Sequence, residues 1–224
     1  MLSLWTVVFF LMTLALLFFS WMGNIYGWQP VQSMLSEEGI RWGLNHVMYD
    51  YVQTPALGMV LVLFMGIGIG IRAGYYNVWK RIGQNSQNVS RKERRSFVLS
   101  TIVGACYVLV LIFSIPFLRN VTGTLIHSPF MNGWVYIASF GLGLMGLVYG
   151  YASNSYRRVS QVFEAMACLI VCNAGYFVAL FFVVQFFSVL SYTQLALYLG
   201  VDKCIIDIIF IVCSYLPLFF CRNK

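Results

Sequence analysis

The sequence predicts an all-α fold: a polytopic transmembrane bundle of about six crossings, with one further amphipathic helix lying at the membrane interface. Three observations predict it. Of the 224 residues, 60% are hydrophobic and 9% are charged, with a mean hydropathy of +0.80, a balance that needs lipid as the solvent. The apolar residues fall into runs close to the roughly 20 residues that a helix needs to cross about 30 Å of hydrocarbon. The charged residues collect between those runs.

The first span is read at residues 4–22. Gly23, Gly27 and Pro30 follow it, and Trp5, Trp21 and Trp28 fall where amphipathic rings settle at the two interfaces. A basic leader and a small-residue cleavage site are both missing from this run, so it reads as a retained helix rather than a signal peptide. Residues 36–51 are too polar to cross, carrying Glu37, Glu38 and Asp50 against Arg41. Ser36 suits an N-cap, and the two glutamates suit the positive end of the helix dipole. Ile40, Leu44, Val47, Met48 and Tyr51 recur at helical spacing beside an aromatic stripe of Trp42, His46 and Tyr49, which makes this the interfacial helix.

Pro55 disfavours helix in the residue before it and so separates that segment from a second span at 56–71. Within that span Gly66 and Gly70 match the small-xxx-small packing pattern. A basic loop at 72–95 gathers Arg72, Lys80, Arg81, Arg91, Lys92, Arg94 and Arg95 against Glu93. Further spans are expected at 97–118, 131–151, 163–187 and 204–221. Residues 1–224 then form a single membrane domain.

Basic residues fix the orientation. With six crossings and both termini cytoplasmic, eleven of the fourteen Lys and Arg residues face the cytoplasm, and only Arg41, Arg119 and Lys203 lie outside. The expected location is the inner (plasma) membrane. The net charge of +7 belongs to loops rather than to one folded face, so the partner is a lipid bilayer and not nucleic acid.

Several motifs resolve into packing. Gly141, Gly143 and Gly146 satisfy GxGxxG, but they sit in an apolar span with no preceding strand, and with Gly150 they read as a small-residue helix stripe. The six cysteines, at 106, 168, 172, 204, 213 and 221, contain no CxxC and are read as free thiols. No His and acid grouping suggests a metal site or a cofactor. His46 and His127 both fall in outer segments, His46 reading as an interfacial polar tip, and neither is flanked by a nucleophile, so an enzyme is not expected.

The polar residues inside spans carry what functional signal there is. Asp207, in CIIDIIFIV, either pairs with Lys203 four positions earlier or couples transport to protons or sodium. Asn173 and Gln185 lie inside the fifth span, where each either bonds between helices or lines a substrate path.

Two blocks resemble a known family. SMLSEEGIRW, from Ser33 to Trp42, with TPALGMVLVLFMGIGIG, from Thr54 to Gly70, is similar to the amino-terminal signature of the p-aminobenzoyl-glutamate transporter (AbgT) family. FFVVQFFSVLSYTQLALYLGV, from Phe181 to Val201, is similar to that family's aromatic-rich scaffold segment. The resemblance implies a reduced, half-length relative that acts as an ion-gradient-driven secondary carrier of p-aminobenzoyl-glutamate or of related antimetabolites, paired as a homodimer. GYASN, from Gly150 to Asn154, echoes the family's substrate hairpins and adds Asn154 to the path candidates Asn173, Gln185 and Asp207. The apolar stretch at 101–117 departs from those hairpins. That departure keeps open a second reading, a non-transporting scaffold or accessory subunit built on a membrane-protein partner.

Overall fold

The structure is a computed structural model and describes residues 2–84, 90–118 and 128–221. Its regular elements are all helices: α1 (Leu2–Ile25), α2 (Glu37–Gln53), α3 (Pro55–Ala73), α4 (Tyr75–Gln84), α5 (Arg91–Leu118), α6 (Pro129–Ala152), α7 (Val159–Cys172), α8 (Ala174–Thr193), α9 (Leu195–Tyr198) and α10 (Lys203–Cys221). Among the described residues α1, α3, α5, α6 and α8 are long and apolar enough to cross a membrane, and the protein is a multi-pass membrane protein. The expectations at Arg119, His127, the Cys221 side chain, Arg222 and Lys224 lie outside what is described. Cys106, Cys168, Cys172, Cys204 and Cys213 are free thiols.

The helices group into two compact units. The first holds residues 1–58 and 173–224, the second residues 59–172, and α3 runs through the division at Gly58. In the first unit α8 is the central element. Its sequence is apolar all round, as a helix that meets other helices on some sides and lipid on others requires, and Tyr176, Ala179, Leu180 and Val183 are fully buried while Val178 is exposed. Phe9 of α1 enters a cluster with Val183, Phe186 and Phe187, its ring meeting Phe186 edge-on at 5.5 Å while Phe187 meets Phe210 of α10 at 5.3 Å. Each such pair adds about 0.5–1.5 kcal/mol beyond area burial.

Local chemistry closes the chain around α8. The buried Ser20 hydroxyl donates to the Gln32 carbonyl at 2.6 Å and accepts from the Met34 amide at 2.9 Å, and Trp28 stacks on Tyr198 at 5.2 Å. Ser36 caps α2 by accepting from the Gly39 amide at 3.1 Å, as its residue type predicts. Thr54 is extended and Pro55 opens α3, the position where a missing N–H does no harm. The segment expected at the interface is thus a helix, held against the side of α8. Ile40, Leu44, Met48 and Val52 form an exposed stripe along it, with Leu44 79% exposed.

The second unit packs by close backbone approach. A Cβ at Gly66 would meet the Ser139 carbonyl at 2.3 Å, and one at Gly146 would meet the Gly70 amide nitrogen at 2.7 Å. Only small residues let α3 and α6 come so near, as the glycine spacing predicts. Hydroxyls then reach across: Ser139 to the Val62 carbonyl, Ser100 to Met145 at 2.7 Å, Tyr107 to Ile137 at 2.9 Å and Tyr156 to Ile69 at 2.7 Å.

Two sequence expectations are corrected here. The basic stretch at 72–95 is not all loop: it contains α4, whose Tyr75 and Val78 are buried while Lys80 and Arg81 stay exposed, and α5 already begins at Arg91. The span expected at 163–187 is two helices, with α7 ending at Cys172 and α8 starting at Ala174. A single helix over 159–193 would be about 52 Å long at 1.5 Å per residue, well beyond a bilayer core. Asn173, at φ −113° and ψ 25°, is where it breaks.

Candidate functional site

A cavity of about 490 Å³ opens in the first unit, walled by the end of α2, the C-terminal half of α8, α9 and the first turns of α10. Pockets that hold small ligands span about 300–1,000 Å³, so the size is suitable. Its floor is apolar and aromatic, formed by Val184, Phe187, Ile206 and Phe210, and its rim carries Asp50, Ser188, Gln194, Lys203 and Asp207.

Each rim group is placed by local structure. Asp50 is half-buried near the end of α2, and Ser188 donates its hydroxyl to the Asp50 carboxylate. Thr54 donates to the Asp50 carbonyl at 2.7 Å, tightening the last turn before Pro55. Gln194 ends α8 in the left-handed region, at φ 54°, a conformation that costs a non-glycine residue on the order of 1 kcal/mol. The bend it makes starts α9, whose Tyr198 amide bonds to the Gln194 carbonyl at 3.1 Å. Lys203 and Asp207 stand one turn apart on α10, both exposed.

Of the two sequence readings of Asp207, the ion pair with Lys203 is not found among the described residues. The pairs found among the described residues are Arg41 with Glu37 and Arg81 with Glu93. Lys203 and Asp207 instead present an ammonium and a carboxylate separately to the cavity. Together with Asp50 they give a site that can engage both signs of charge on a small molecule with an apolar or aromatic body.

The four sequence candidates are not gathered at this cavity. Asp207 lines it. Gln185 lies one turn before Ser188 on α8 and does not, because its amide donates to the Val47 carbonyl at 2.7 Å and so fastens α2 to α8. Tyr51 makes a second fastening, to the Phe177 carbonyl at 3.1 Å. Asn173 stands at the α7–α8 break, its carbonyl accepting from the Tyr176 amide at 2.9 Å. Asn154 belongs to the other unit, exposed after α6 at φ 65°, its amide bonded to the Tyr151 carbonyl at 3.1 Å.

Sequence reasoning missed Asp50 and Ser188 as a site. They are 138 positions apart, and by sequence Asp50 groups with Glu37 and Glu38 as a charge of the interfacial helix. The available signal was its place one turn ahead of Pro55, where the chain passes into an apolar span. The His46 ring stacks on Trp42 at 4.5 Å, and its Nδ1 lies 3.0 Å from the Trp42 carbonyl. Among the described residues no three His, Cys, Asp or Glu side chains converge as metal ligands would.

Comparison with known proteins agrees with this architecture. The crystal structure of the Alcanivorax borkumensis YdaH transporter matches with a TM-score of 0.74 at 16% identity, covering 86% of this chain and 71% of that one, a likeness of fold. No curated protein matches significantly. The AbgT putative transporter family matches residues 79–208, which contain the Phe181–Val201 block but not the Ser33–Gly70 block. With more than half of its residues following that pattern, the chain belongs to the AbgT family of membrane transporters.

Proposed function

We propose that this protein is an ion-gradient-driven secondary carrier, not an enzyme, moving p-aminobenzoyl-glutamate or related aromatic amides and antimetabolites across the inner membrane as a homodimer with cytoplasmic termini. The observation that carries the proposal is the match of residues 79–208 to the AbgT transporter family, joined to a cavity of ligand size within the first unit. The cavity supports the substrate class. Phe187 and Phe210 offer faces for an aromatic ring, and Lys203 offers a counter-charge for a carboxylate. Asp207 is the group proposed to couple flux to protons or sodium. Asn173 and Asn154 are proposed path residues, while Gln185 acts by positioning α2.

The test is flux in proteoliposomes. Uptake of labelled p-aminobenzoyl-glutamate is expected to saturate, to stop when the ion gradient is collapsed, and to fall severalfold in Asp207→Asn and Asn173→Ala. Absence of any gradient-dependent flux with aminobenzoyl-glutamate or sulfonamide substrates refutes the carrier reading. The alternative, a non-transporting scaffold or accessory subunit, draws on the exposed apolar stripe of α2 from Ile40 to Val52. Stable co-purification with another membrane protein, without flux, is its expected result.

A further inference from the structure

The start of α5 breaks a local rule. Arg91, Lys92, Arg94 and Arg95 crowd the first turns of the helix, where the macrodipole disfavours positive charge. The acid among them is already engaged. Glu93 accepts from the Ser90 amide at 3.0 Å while the Ser90 hydroxyl accepts from the Glu93 amide at 3.2 Å, a reciprocal capping box, and its other oxygen faces Arg81 at 3.6 Å. Arg91, Arg94 and Arg95 are exposed and do not appear in the ion pairs found among the described residues.

These three arginines line one end of a groove of about 360 Å³, and Val98, Leu99 and Ile102 line the other. All three apolar side chains are at least half exposed, and the helix continues from them as a membrane-span candidate. The groove therefore changes from guanidinium to hydrocarbon within two to three turns of one helix.

We propose that this groove is a binding site for an anionic glycerophospholipid. The phosphodiester would take bidentate bonds from the arginines, relieving both their mutual repulsion and their conflict with the helix dipole. The first methylenes of the acyl chains would lie along Val98, Leu99 and Ile102. A free phosphate satisfies only the first half of this arrangement, and a zwitterionic headgroup brings a positive charge against three others.

Native mass spectrometry of the full chain in detergent, titrated with phosphatidylglycerol or phosphatidylcholine, tests it. Wild type is expected to retain phosphatidylglycerol preferentially, and Arg91→Gln/Arg94→Gln/Arg95→Gln to lose on the order of a hundredfold in that affinity, since each basic residue near a headgroup contributes about 1 kcal/mol. An Arg157→Gln/Arg158→Gln variant should keep the preference. If the triple glutamine variant does not fold, the triple lysine variant is expected to bind more weakly than wild type but still above phosphatidylcholine, because it keeps charge and loses the fork geometry. Excess glycerol phosphate should not displace the lipid. Equal binding of the two lipids, an unchanged preference in the triple variants, equal loss on changing Arg157 and Arg158, or displacement by glycerol phosphate would each overturn the proposal.

Discussion

The two units hold their helices by opposite means. In residues 59–172 small residues let backbones nearly touch, so hydroxyls of Ser100, Tyr107, Ser139 and Tyr156 reach carbonyls of neighbouring elements. In the other unit rings of Phe9, Phe186, Phe187 and Phe210 set the spacing, and polar side chains of Gln185, Tyr51 and Ser188 tie α2 to α8. In lipid the hydrophobic effect does not drive helices together, so both units rely on packing and hydrogen bonds. The difference lies in where room is left. Backbone contact closes the seam between α3 and α6, whereas the ring-spaced helices leave a cavity among themselves, bounded by Asp50, Lys203 and Asp207.

The largest effect should come from breaking the close approach. Gly146→Leu drives a side chain into the Gly70 backbone, where even a Cβ would stand 2.7 Å from nitrogen, and is expected to cost about 3 kcal/mol or more. Phe187→Leu, in the ring-spaced unit, should cost about 1 kcal/mol, because a cluster of rotatable side chains can relax around the loss. Thermal unfolding of both variants in detergent checks the contrast. Equal costs would mean that the two units are packed alike.

The Asp50 and Ser188 bond is next. Either Asp50→Ala or Ser188→Ala should lower stability by about 1–3 kcal/mol, since each leaves a partly buried polar partner unsatisfied. The double variant should cost clearly less than the sum of the two. Additive losses would show that the carboxylate and hydroxyl act independently. A smaller change is expected from Gln185→Leu, about 1 kcal/mol for one amide bond. Its signature is local: faster amide hydrogen exchange in α2 with exchange in residues 59–172 unchanged.

Much of this contrast could be read from the amino acids, and its limits have physical causes. Gly66 and Gly70 announce close packing because glycine has few other uses inside an apolar span, and the Ser36 cap and Pro55 boundary follow from the local chain alone. The α7–α8 break had no such marker. Asn173 is flanked by Cys172 and Ala174 rather than by proline or glycine, so hydropathy runs straight across it. The helix in the basic stretch was hidden for another reason: Lys80 and Arg81 mark the segment as a polar connection, although Tyr75, Val78 and Ile82 recur at helical spacing and pack into the core of that unit. The cavity depends on Asp50 meeting Ser188, a pairing set by tertiary structure that no local window contains.

The finest distinction concerns Tyr156, in the turn between α6 and α7. Its ring covers Gly150, where a Cβ would clash at 2.2 Å, and its hydroxyl donates to the Ile69 carbonyl at 2.7 Å. Burial pushes the phenol up to about 12 from the ordinary 10.0, against the opposing pull of the Arg72 guanidinium. A pKa raised in the folded state means that the unfolded chain loses its proton first as pH rises. The stabilisation from the protonated phenol is therefore complete below about pH 10 and declines as pH climbs towards 12. Tyr156→Phe keeps the ring on Gly150 and removes the bond, so below pH 10 it should be less stable than wild type by about 1 kcal/mol. Between pH 10 and 12 the gap should close, since the variant has no phenol to ionise. Unfolding of both proteins across that range decides the matter: a gap that stays constant to pH 12 would show that this hydroxyl is open to water, and that the small-residue unit is looser at its turn than along its helices.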